Sequence, residues 1–189
     1  MSVGAAFPLE LLYSEIVNYC KESEERRNVA KTQWNKIAES CTDSPSLESY
    51  TSLVQQAFAH NNCETQLESI GFRIGYVIAE KLAKDSGRLF SELEIVKFIC
   101  KEFWCAAFGK QVDNLRTNHQ GVYVVQDNKF SSLSCFSEGT QFVKESALYL
   151  AIPSGIIRGA LSNLNVQAVV TPTVETLPSV KFHIHIQQR

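Results

Sequence analysis

Apolar positions along this chain repeat every three to four residues, then every second residue, then every three to four, then every second again. Leu9, Leu12, Tyr13, Ile16 and Cys20 form a first helical stripe, which predicts a helix from about Pro8 to about Glu22. The next stretch is charged and ends in turn-forming residues. It predicts a mobile insertion at about 24–46, with at most one weak helix around Trp34. From about Leu47 to Asp85 the period is helical again, in two pieces broken near His60, Asn61 and Asn62. In the second piece Leu67, Ile70, Ile74, Val77 and Ile78, extended by Gly71 and Leu82, predict the core face. Phe72, Tyr76, Ala79 and Ala83 form a second apolar stripe on another side of that helix. A helix apolar on two sides needs cover on both, so these four, with Leu12 and Ile16 of the first helix, are the candidate partner interface. Ser91 and Glu94 have the spacing of a capping box and open a helix through Leu93, Val96, Ile99, Cys100, Phe103 and Ala107.

From Val112 the period falls to two. VDNLRTN, VYVVQ and KFSSL read as short antiparallel strands joined by turns at His119–Gly121 and Asp127–Asn128. The stretch from Phe142 to Asn165 returns to the helical period. It predicts a core helix kinked or restarted at Pro153, with Gly155 and Gly159 one turn apart so that it packs tightly on a sheet. NVQAVVTPTV and SVKFHIHIQ close the chain as strands. In the last, Val180, Phe182, Ile184 and Ile186 alternate with Lys181, His183, His185 and Gln187. This order predicts one α+β domain over residues 1–189, with helices packed on one face of a twisted antiparallel sheet of about four strands.

A net charge of -2 argues against a phosphate-backbone binder, so no nucleic-acid partner is expected. The start, MSVGAAFPLELLYSE, lacks the basic and long apolar regions of a secretory signal, which reads as a cytosolic protein. The six cysteines, Cys20, Cys41, Cys63, Cys100, Cys105 and Cys135, are then expected as thiols. Without a Cys-x-x-Cys pair they suggest neither a zinc site nor dithiol chemistry. His183 and His185 share a strand face, but two histidines lack the third ligand a metal needs, and alternation already explains them. Cys135, His119 and Asp113 or Asp127 offer the residue types of a nucleophile, base and orienting acid with nothing to fix their geometry. The helical glycines do not follow a strand and so make no phosphate cradle. No catalytic residue, cofactor site or metal site is therefore assigned, and the chain is not read as an enzyme.

Four blocks carry a family resemblance: GFRIG at 71–75, EIVKFICKEFW at 94–104, QVDNLRTNHQGVYVVQDNKF at 111–130 and SGIIRGALSNL at 154–164. Together they resemble the small subunits of the transport protein particle (TRAPP) complex, most like its sixth-subunit type, over the span from about Leu67 to the C-terminus. The resemblance implies a non-catalytic subunit of a vesicle-tethering complex that acts in endoplasmic-reticulum-to-Golgi and Golgi traffic. It implies that the assembly, rather than this chain, serves as guanine-nucleotide exchange factor for a Rab GTPase. It further implies pairing with a related small subunit through the first two helices, and a cytoplasmic location, peripheral at the cis-Golgi and endoplasmic reticulum. A lipid-modified relative carries an acyl chain on a cysteine beside a Gly-Arg pair. Here Gly87 and Arg88 are followed by Leu89, so no lipid attachment is expected. A lipid-binding module, with an acyl-sized cavity under the helices, is the alternative reading.

Overall fold

The computed structural model describes residues 6–40, 62–84, 91–118 and 121–187. They belong to two compact units, Met1–Leu67 and Glu68–Arg189. In the first unit, α1 runs from Ala6 to Ser40, well past the end the apolar stripe suggests. Most of the stretch expected to lack regular structure is therefore helix, while residues 41–46 lie outside the described residues. Composition explains the difference: from Leu9 to Ser44 the chain contains neither glycine nor proline, and Glu22 pairs with Arg26 one turn on at 3.8 Å. Val17 and Cys20 are buried on this helix, and Cys63 and Leu67 are buried at the start of the next, α2 (Cys63–Ala83). The two helices meet where the Cys63 amide donates to Glu24 Oε2 at 3.3 Å.

In the second unit α3 opens at Glu92 with both halves of the capping box: Ser91 Oγ accepts from the Glu94 amide, and the Glu94 carboxylate accepts from the Ser91 amide. The helix runs Glu92–Phe98, widens into a π turn over Ile99–Phe103 and finishes as Trp104–Phe108. The extra residue in that turn shifts the buried face. Val96 and Phe98 are thus buried before it, Ile99, Cys100 and Phe103 within it, and Trp104 after it. Gly109, with φ 82°, ends the helix in the left-handed conformation that side chains disfavour.

Four strands follow the period-two pattern: β1 (Asn114–Thr117), β2 (Val122–Asp127), β3 (Ala168–Thr173) and β4 (Val180–Ile186). They form one antiparallel sheet in the order β1-β2-β4-β3. KFSSL is not a strand. Phe130 and Leu133 are instead buried across a single 3-10 turn, Ser131–Leu133. The inner face presents Tyr123, Val125, Val180, Phe182 and Ile184. Trp104 stands edge-on to Phe182 at 5.6 Å, and Phe130 to Phe182 at 5.5 Å, so one aromatic cluster joins α3 to the sheet. On the outer face the register sets His183 between Val124 and Thr171, and His185 between Val122 and Val169.

The helix after the hairpin breaks at Leu150, giving α4 (Val143–Tyr149) and α5 (Ala151–Asn163). Pro153 thus falls in the first turn of α5, where its missing amide costs no intrahelical bond. One side of α5 packs on β3. Its Gly155 and Gly159 do not face the sheet, as the spacing suggested, but α2. A methyl group on Gly155 would come within 2.9 Å of the Glu68 carbonyl carbon, and one on Gly159 within 2.8 Å of that of Phe72. Gly71 and Gly75 reciprocate, meeting the carbonyl carbons of Ile152 at 2.9 Å and Ile156 at 2.7 Å. Two pairs of glycines a turn apart therefore set α2 and α5 backbone against backbone. Covered on both sides, α5 is buried without interruption from Ala151 to Ile157.

Candidate functional site

At about 100° per residue, the contact with α5 fixes what α2 shows to its surroundings. Gly71 and Gly75, four residues apart, face α5, and Ala79, four residues further on, is 0% exposed. Ala79 therefore lies on the intramolecular face rather than a free one. Phe72 and Ala83 are half-buried at its border, while Tyr76 is 42% exposed. Phe72 lies 6.3 Å from the Tyr76 ring and carries the Arg158 guanidinium over its face at 5.2 Å. Arg158 Nε also lies 3.1 Å from Glu68 Oε1, an ion pair in which the N–H is not directed at the carboxylate.

Of the residues that periodicity assigns to the core, Leu67 and Gly71 are buried and Ile78 and Leu82 half-buried, but three lie on the opposite flank. Ile70, Ile74 and Val77 are 37%, 43% and 63% exposed. The helical period identifies that α2 has more than one apolar side but cannot say which side is inward. Here the glycines decide it, because only their side admits another backbone. In the first unit Leu12 is exposed and Ile16 half-buried on α1.

The polar groups with catalytic residue types are committed elsewhere. Asp127, fully buried at the end of β2, accepts from Trp104 Nε1 at 3.1 Å, from the Lys110 ammonium at 2.6 Å and from the Lys129 amide at 3.0 Å. Asp113 accepts from Lys110 at 2.9 Å and from the Asn128 amide at 2.6 Å. The Asn128 amide, followed by the Lys110 ammonium, holds the Asp113 carboxyl below its ordinary range. Burial pulls the Lys110 ammonium down, but hydrogen bonds to Asp127 and Asp113 outweigh it and hold the group above its usual value. These groups pin the end of α3 to the start of β1 and the end of β2. Cys135 is exposed, its thiol 3.8 Å from the Ser132 carbonyl, and His119 lies outside the described residues. Among the described residues no three His, Cys, Asp or Glu side chains cluster to hold a metal, and no helix is long and apolar enough to cross a membrane. Gly87, Arg88 and Leu89 lie outside the described residues.

Residues 9–187 match the family model of transport protein particle (TRAPP) components. The chain belongs to the TRAPP component family. It is 49% identical over 139 residues, 74% of its own length, to mouse trafficking protein particle complex subunit 6B, of which the match spans 88%. It is 45% identical over 120 residues, 64% of its length, to human subunit 6A, of which the match spans 76%. Its fold resembles that of trafficking protein particle complex subunit 3 from Naegleria fowleri, solved covalently bound to palmitic acid, with a TM-score of 0.55 at 20% identity. That likeness covers 75% of this chain and 92% of the other. As a TRAPP subunit the chain is a non-catalytic structural part of a vesicle-tethering complex, with other TRAPP subunits as its partners.

Proposed function

We propose that this TRAPP subunit is a scaffold that pairs with a related small subunit through the exposed surfaces of its first two helices. In this reading the exchange of nucleotide on a Rab GTPase belongs to the assembly, which acts in endoplasmic-reticulum-to-Golgi and Golgi traffic, peripheral to those membranes. The observation that carries the reading is the apolar flank of α2. Ile70, Ile74 and Val77, at spacings of four and three, are exposed on a helix whose other side is sealed by α5. Of the residues the sequence proposed, Leu12 and Ile16 on α1 and Phe72, Tyr76 and Ala83 on α2 keep exposed surface and stay candidates, whereas Ala79 does not. Ile74→Asp tests the reading. An uncompensated carboxylate buried in the contact costs several kcal/mol, against the modest surplus an interface leaves. Co-expressed with a related small TRAPP subunit, the parent should co-elute with it in size-exclusion chromatography and the folded variant should not. Co-elution of a folded Ile74→Asp protein would place the contact elsewhere.

A further inference from the structure

Resting on that reading of α2, we infer that its exposed flank receives a partner helix whose apolar seam is bordered by acidic side chains. The stripe Ile70, Ile74, Val77 meets two exposed cations, one at its edge and one at its C-terminal end. Arg73 lies three residues after Ile70 and four before Val77, and Lys81 follows Val77 by four. Neither makes an ion pair among the described residues. The acids of α2 are placed or occupied elsewhere: Glu64 lies in the first turn, before the stripe begins, Glu68 lies with Arg158 at the α5 contact, and Glu80 pairs with Lys84 at 3.7 Å. The flank is thus apolar along its middle, with positive charge from Arg73 at one edge and from Lys81 at its C-terminal end. An amphipathic helix laid along it gains from burying apolar surface at the seam, and gains again if carboxylates meet Arg73 and Lys81. A second copy of this chain fits less well. An isologous contact would set the stripe against itself and bring each cationic border towards its own copy.

Two synthetic peptides test this, with one leucine seam of helical spacing and either glutamates or lysines at the flanking positions. Their binding to the full chain is measured by fluorescence anisotropy at low salt. The glutamate peptide should bind roughly fivefold or more tightly than the lysine peptide, as expected for two exposed ion pairs replaced by two repulsions. Added salt should shrink that difference. Arg73→Glu combined with Lys81→Glu should invert the order, and Ile74→Asp should weaken both peptides, with circular dichroism confirming each variant folded. Equal affinities, a preference for lysine, no binding at all, or a preference that survives Arg73→Glu with Lys81→Glu would overturn the inference. So would light scattering that finds the chain dimeric through this stripe. Subunit pairing that survives Arg73→Glu with Lys81→Glu yet fails in Ile74→Asp would leave the pairing reading standing and overturn the acidic border.

Discussion

Ala79 and Ile74 can each be changed to aspartate, yet the two substitutions should fail in different ways. Ala79 is fully buried, so Ala79→Asp places an unpaired carboxylate inside the subunit. It should yield little folded protein, read by circular dichroism and soluble yield. Ile74→Asp places its charge on an exposed flank, and its thermal midpoint should stay close to that of the parent. At the glycine crossing, Gly75→Ala would drive a methyl group against the Ile156 backbone, which no side-chain rotation can relieve. A loss of about 1–3 kcal/mol in denaturant unfolding is expected. Lys110→Met leaves buried Asp127 without its cation and should cost about 3 kcal/mol, towards the low end for a broken buried pair because Lys110 is itself partly exposed. Asp113 gives a pH signature. Its carboxyl is held below its ordinary value, so its stabilising share is present above that value, 3.8, and is lost as pH falls through the depressed folded value. Asp113→Asn should therefore flatten the acid limb of stability against pH.

At the scale of elements, how much the sequence revealed depended on whether a signal was local. The capping box at Ser91 and Glu94, the alternation of Val180–Ile186 and the break before Pro153 all rest on neighbours in the chain, and each is found in place to within a few residues. The end of α1 is not legible in the sequence because a charged surface reads alike whether it is helical or not. KFSSL is ambiguous in sequence because Phe130 and Leu133, three apart, suit one turn of 3-10 helix as well as a strand. The inward side of α2 could not be read because it depends on α5, a distant part of the chain. A signal did exist in the matching Gly-x-x-x-Gly spacings at 71–75 and 155–159, had the two been read as partners. The cysteines carry an element-scale expectation. Burial lifts the Cys100 thiol to about 12. Burial, aided by the neighbouring Cys20 and Glu24, lifts Cys63 to about 11. Iodoacetamide at neutral pH should label exposed Cys105 and Cys135 first, and Cys20, Cys63 and Cys100 only on unfolding, as mapped by peptide mass.

For the whole molecule, the placing of α5 has a consequence in time. Its seat on α2 is built from residues more than 80 positions earlier in the chain, as Gly71 is to Ile152 and Phe72 to Gly159. A ribosome adding about 5–20 residues per second leaves α2 without that cover for several seconds after it emerges. During this interval the glycine face and the Ile70, Ile74, Val77 flank are open together, and the nascent helix has no apolar side protected. Under the proposed pairing, the flank is covered by a neighbour and the glycine face by the chain's own late-made helix, so the order in which those two arrive matters. A partner that engages before α5 is made could take the glycine face instead of the flank. The proposed pairing therefore requires that α5 leave the ribosome and close on α2 before it begins.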